Sequence, residues 1–298
     1  SWWMFLFGSL VLNASFVFGG PPAAGWTGYA PLTGAQYGGT GIDFWWAGLA
    51  MLSASSLAAS INFIVTILNL RAPGMTLMRM PVIAWMMLVI QFLLALSFPP
   101  VTVGLILLAF DRMFGTVFYQ VSMGGDPHLW QHLFWLFGHP EVYVLILPAM
   151  GIVSEVLPVF SRRPLFGQGA VIFSGIFIGF VGFGVWAHHM FTGGMGPVVD
   201  AAFAATTAII ALVVFAPMAN GLLSAIPLTP GGLGIVETGV SGLLQLELTV
   251  ELAIAVALLD RTISYLSIIV TGGVAFAMRQ LRGGDRASSD AAASQRTA

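Results

Sequence analysis

Gln131-His-Leu-Phe-Trp-Leu-Phe-Gly-His139-Pro140-Glu141-Val-Tyr143 lies inside an apolar run that is long enough to cross a bilayer. A second stretch of the same kind, Trp186-Ala-His188-His189-Met-Phe-Thr192, closes another such run. Ionisable side chains at membrane depth are costly, so their presence there argues for a function. Four of the five histidines sit in these two stretches, and three of them, His139, His188 and His189, have a carboxylate and a phenol beside them. The reading is of an all-α, polytopic helical membrane protein with a buried metal site.

Composition agrees. Of the 298 residues 58% are hydrophobic and 7% charged, and the mean hydropathy is +0.93. A water-soluble domain carries about a quarter charged residues, so lipid is the solvent for most of this chain. The net charge of −2 gives no basis for nucleic-acid binding. All ten basic residues are arginines, and there is no cysteine. Disulfides, thiolate metal sites and iron–sulfur clusters are therefore excluded, leaving imidazole, carboxylate or carbonyl as metal ligands. The chain opens at Ser1 within an apolar run, without a basic n-region, and earlier residues are expected to precede it.

About eight spans are expected: Trp2 to Phe18, Phe44 to Leu70, Val82 to Phe110, Leu129 to Phe160, Ala170 to Phe191, Asp200 to Ile226, Ile235 to Leu248 and Ala253 to Met278. Pro140 and Pro148 should bend the fourth. Gly175 and Gly179 have the spacing of a close helix contact in the fifth. Arginines follow spans two, four and eight, which puts those ends on the cytoplasmic side and the Gly19 to Gly41 loop outside. The tail from 282 to 298 is polar, is expected to be disordered and lies on the cytoplasmic side.

His139 and Tyr143 are one helical turn apart and share a face, while Glu141 points elsewhere. His188 and His189 are adjacent, about 100° apart on a helix. Counted along the two spans at about 1.5 Å per residue, all three histidines fall at matching depth in the outer half of the bilayer. Singly, each is as well explained by a hydrogen bond to a neighbouring helix. Together, with Tyr143 beside them, they suit copper or zinc, and the phenol favours redox chemistry over hydrolysis. A zinc-protease reading fails, because Gly138-His139-Pro140-Glu141 lacks the His-Glu-x-x-His spacing. Glu141 is a candidate proton-relay group, the alternative being a neutral acid bonded to a carbonyl. His132 is read as an interhelical hydrogen bonder, His128 as facing water, and Glu155 as solvated or paired with Arg162.

Trp135-Leu-Phe-Gly-His-Pro-Glu-Val-Tyr-Val-Leu-Ile-Leu-Pro148 and Val185-Trp-Ala-His-His-Met-Phe-Thr192 resemble the signature segments of bacterial, aa3-type haem-copper cytochrome c oxidase subunit I. Gly25-Trp-Thr-Gly-Tyr-Ala-Pro-Leu32 and Gly124-Gly-Asp-Pro127 are similar to further segments of it, and the likeness runs over 1–212. The resemblance implies that His139, His188 and His189 ligate the copper of a binuclear centre. It makes Tyr143 the redox tyrosine and Glu141 an internal proton donor. It further implies reduction of O2 to water with electrons from cytochrome c, coupled to proton pumping, in a bacterial plasma membrane with subunits II and III as partners. Haem is expected of the family, but its axial histidines and the lysine of a second proton path have no counterpart: no histidine follows His189 and the chain has no lysine. Residues 1–212 thus read as a partial oxidase core that lacks the first helices and the later haem-ligand helix.

Residues 213–281 resemble a different family. Ala225-Ile-Pro-Leu-Thr-Pro-Gly-Gly-Leu-Gly-Ile-Val-Glu237 and Leu258-Leu-Asp-Arg261-Thr-Ile-Ser-Tyr265 are similar to the lysylphosphatidylglycerol synthase/flippase-like membrane domain. This makes a lipid-handling membrane protein, or a non-functional chimera of two genes, the alternative reading.

Overall fold

A computed structural model describes residues 1–162, 165, 167–224, 254 and 258, with side chains described to residue 211 and at 254 and 258. The seventh expected span, the eighth apart from Ile254 and Leu258, the Asp260-Arg261 pair and the polar tail lie outside the described residues. The chain groups into two compact units, Ser1–Arg162 with Ile172–Val214, and Arg163–Val171 with Phe215–Ala298. In the second unit the described backbone is helical from 168 to 171 and from 215 to 224.

Six α-helices are described: α1 Trp2–Phe18, α2 Gly41–Asn69, α3 Val82–Met113, α4 Pro127–Ser161, α5 Gln168–Val181 and α6 Pro197–Ser224. Between α5 and α6 the chain tightens into 3-10 segments, Gly182–Gly184 and Trp186–Gly193. Among the described residues, four stretches are long and apolar enough to cross a membrane: α2, α3, α4, and α5 taken together with its 3-10 continuation. Helices α1 and α6 are shorter apolar helices over their described side chains.

Sequence neighbours pack as neighbours: α1 on α2, α2 on α3, and α3 on α4. Small residues let two of these backbones approach closely. A Cβ on Gly48 would stand 2.8 Å from the Gly8 carbonyl oxygen, so α1 and α2 meet backbone to backbone. Aromatic packing fills the α2–α3–α4 core, where Trp45, Phe98, Leu105, Leu108, Trp130 and Phe134 are buried.

Helix ends are held by specific partners. Asp126 caps α4 by accepting from the His128 N–H at 2.9 Å, with Pro127 in the first turn, where its missing donor costs nothing. Glu155, expected in water or beside Arg162, instead accepts the Val82 N–H at 2.6 Å and caps α3 from a neighbouring helix. Helix α4 runs on through Pro140, Pro148 and Pro158.

The loop joining α1 to α2 is stitched down by Arg112 near the end of α3. Its guanidinium donates to Asp43 at 2.6 Å and to the carbonyls of Thr33, Gly34, Gly38 and Gly39. A cation with five fixed donors is suited to collecting several loop carbonyls at once. Trp130 and Trp135 of α4 reach the same loop, donating to the Thr27 carbonyl at 3.0 Å and the Tyr29 hydroxyl at 2.6 Å. One face of α4 is thereby registered against the loop.

Candidate metal centre

Helix α4 carries the first wall of the site. His139 and Tyr143 stand one turn apart with ring centroids 4.6 Å from each other, His139 5% exposed and Tyr143 8%. Glu141, between them in sequence, is half-buried and takes no part in the histidine group.

The second wall departs from expectation. The fifth span was read as one helix through Phe191, but the α-helix stops at Val181 and His188 and His189 sit in the 3-10 segment Trp186–Gly193. Gly182-Phe-Gly184 lies at the break, where two glycines weaken the helix. Gly182 is also required sterically, since a Cβ there would lie 2.8 Å from the Tyr143 ring. Met190 leaves helical geometry altogether, and Gly194 ends the segment in a left-handed turn at φ 81°. Spans four and five meet through this tightened segment, while Gly175 and Gly179 of α5 face Met86 and Val89 of α3.

The two walls bring the three histidines together. One ligand nitrogen from each of His139, His188 and His189 lies within 4.8 Å of the others. Nδ1 of His139 and Nε2 of His189 are 3.2 Å apart. Nε2 of His139 is buried with no hydrogen-bond partner among the described residues. Buried nitrogens are seldom left so, and three convergent neutral imidazoles are the donor set that copper or zinc takes. The residues therefore fit the metal that the sequence pattern implies.

Four neighbours hold the ligands in place. Thr207 of α6 donates its hydroxyl to the Phe203 carbonyl at 2.6 Å, leaving its oxygen to accept from His188 Nδ1 at 2.8 Å. That assigns the Nδ1–H tautomer and turns Nε2 inward. Trp135 stacks on His189 at 3.8 Å with the rings 7° from parallel. Trp186 donates to His132 at 3.2 Å, which ties the 3-10 segment to α4 and makes His132 the interhelical bonder it was expected to be. Thr206 is within 3.3 Å of the Gly184 carbonyl. His128 is exposed beside Asp126. Sequence reasoning missed Thr207, Trp135 and Gly182. Only Trp135 carried a signal, being one turn before His139 on the same helix.

The family model for "Cytochrome C and Quinol oxidase polypeptide I" matches residues 1–278. Cytochrome c oxidase subunit 1 of Bacillus subtilis (strain 168) is 51% identical over 222 residues, 74% of this chain and 36% of that protein. The subunit 1 of Bacillus sp. (strain PS3) is 52% identical over 210 residues, 70% of this chain and 34% of its own length. A probable quinol oxidase subunit 1 of Staphylococcus aureus (strain USA300) is 42% identical over 224 residues, 75% of this chain and 34% of its length. The chain spans about a third of the length of these curated relatives. From the family model's reach across most of its length, this chain belongs to the cytochrome c and quinol oxidase polypeptide I family.

Proposed function

We propose that this chain provides the copper-holding portion of an oxidase that reduces O2 to water in a bacterial plasma membrane, with electrons from cytochrome c and protons pumped outward. The observation that carries the reading is the convergence of His139, His188 and His189 at the junction of α4 and the 3-10 segment. Copper bound there supplies one-electron redox chemistry to an oxygen-binding site. The three imidazoles would hold it through one nitrogen each. His188 is turned for this by Thr207, and His189 is braced by the flat stack on Trp135.

Tyr143, buried and edge-on to His139, is placed to give up a phenolic proton and an electron at the same site. Glu141, half-buried on another face of α4, would hold a proton for delivery, as carboxylates at membrane depth commonly do. A haem is not fitted by the residues present. His128 is exposed at the helix start, His132 is engaged by Trp186, and the other three histidines form the metal group. Subunits II and III and the rest of a subunit I would complete the assembly.

The reading is tested by grafting residues 1–212 into the matching third of the Bacillus subtilis relative and measuring oxygen uptake driven by cytochrome c. Restored uptake that His188→Ala abolishes is expected. A fully assembled, haem-containing hybrid without uptake would contradict it.

Residues 213–281 are proposed as a segment of separate origin, with a lipid-handling or non-functional role. Two observations support this. The curated matches reach only 70 to 75% of the chain, and the compact units divide between Val214 and Phe215. Against it stands the family model's extension to residue 278. Long reads of the source DNA across codons 200–230 decide the matter. Reads that diverge there mean two joined fragments, and uninterrupted reads mean one gene.

A further inference from the structure

A cavity of about 400 Å3 opens where α3 ends, between the α1–α2 loop and the connection from α3 to α4. Asp111, near the end of α3 and 7% exposed, stands in its wall. Its Oδ1 accepts from the Thr116 hydroxyl at 2.6 Å and the Phe118 N–H at 2.9 Å, and its Oδ2 from the Tyr119 N–H at 2.9 Å. Each carboxylate oxygen can accept about two bonds, so Oδ2 keeps one position free. Neutral donors solvate a buried charge without cancelling it. Asp111 is in no ion pair among the described residues, since the adjacent Arg112 is taken up by Asp43 and by loop carbonyls. The side chains of Gln36, Tyr37, Gln120 and Ser122 also line the cavity and make no hydrogen bond to another described residue. Tyr37, 66% exposed, adds an aromatic ring, to which a cation is attracted as well.

We propose that this cavity binds a primary ammonium group, with Asp111 as its counter-ion and the side-chain oxygens of Gln36, Gln120 and Ser122 as further acceptors. The site shares no residue with the three-histidine centre. The uncompensated carboxylate selects a cation over an anion or a neutral molecule. The free acceptors select a cation that donates, and an –NH3+ group has three N–H donors where a quaternary ammonium has none. A divalent metal ion is poorly served, because it takes several anionic oxygens and the lining has the one carboxylate. The volume admits an amine with a short chain attached, at the small end of ligand cavities. Helix ends lie at the level of lipid headgroups. The amine is therefore supplied either by a phospholipid of the ethanolamine type or by a free amine in the adjoining water, and both present the same group to Asp111.

The test uses the full chain in two settings. In detergent, saturation-transfer NMR compares butylammonium with butanol, which has the same chain and no charge. In nanodiscs, native mass spectrometry compares retention of phosphatidylethanolamine with that of phosphatidylglycerol. The wild type should bind butylammonium at least about tenfold more tightly than butanol, as expected for one charge-assisted contact. Asp111→Asn should remove that preference. Because Asp111 also holds the connection after α3, a second variant leaves it in place. Ser122 is exposed in that connection, and Ser122→Lys sets a tethered ammonium in the cavity that should displace the ligand. Ser122→Gln, of similar reach and without charge, should bind as the wild type does. Unchanged thermal unfolding in Ser122→Lys shows that the fold is kept.

Retention of phosphatidylethanolamine that Ser122→Lys abolishes would identify a headgroup, and butylammonium binding without lipid preference would identify a free amine. Either result upholds the ammonium site. Butylammonium bound no better than butanol, with no preference between the two lipids, would overturn it. So would wild-type binding in a folded Ser122→Lys.

Discussion

The two walls of the site are built by opposite means. His139 comes from the interior of a 35-residue helix, and its position is set by the helix repeat and by burial of its own face. His188 and His189 come from an eight-residue 3-10 segment that regular backbone geometry alone holds weakly. What fixes that segment is side-chain ties: Trp186 to His132, Thr207 to His188, and the stack of Trp135 on His189. The difference teaches that ligands on a long helix are placed by the fold, whereas ligands on a tightened turn are placed by their partners. Substitutions of partners should therefore harm the second wall more than the first.

Loss of a ligand should have the largest effect on either wall. His139→Ala and His188→Ala should each weaken Cu2+ binding by more than about 100-fold, beyond the range for supporting residues. Competition with a chelator measures this. Next in size, Thr207→Val frees His188 to rotate and should weaken copper binding by about 10–100-fold, with Thr207→Ser recovering most of it. A valine variant with wild-type affinity would show that the 3-10 wall needs no partner.

Gly182→Ala tests where the walls touch. Its new methyl would meet the Tyr143 ring, costing about 1–3 kcal/mol in thermal unfolding. Unchanged stability would mean the two walls are not in tight contact.

The smallest effect is expected remote from both walls, in the connection that leads into α4. Tyr119 donates to the Gly104 carbonyl at 3.1 Å, and Tyr119→Phe should cost about 1 kcal/mol with copper affinity unaltered. Burial, with the Asp111 carboxylate adding to it, pushes the Tyr119 phenol up. The folded state thus keeps a proton that the unfolded chain releases. That contribution is whole below about pH 10 and is lost as pH rises above it. Stability measured from about pH 9 to 11 should fall more steeply in the wild type than in Tyr119→Phe.

Much of the fold was legible because apolar runs in a membrane protein are read by length. Span one matches α1 end for end, and span three begins at Val82 as α3 does. The histidine group was legible through depth counting, since matched depth on two sequential spans leaves little freedom. The break after Val181 was harder. Gly182-Phe-Gly184 reads equally well as a packing face, and only the Tyr143 ring lying against it shows otherwise. Thr207 could not be found, because a threonine eighteen residues beyond His189 bears no local relation to it. Glu155 was misread for the same reason: its partner, the start of α3, is 73 residues away.

His139, His188 and His189 are proposed to hold one copper ion jointly. X-ray absorption at the copper edge of the loaded chain tests it most directly. One ion per chain with three imidazole ligands, falling to two in His188→Ala, is the result predicted. A spectrum dominated by oxygen ligands, or one unchanged by His188→Ala, would contradict it.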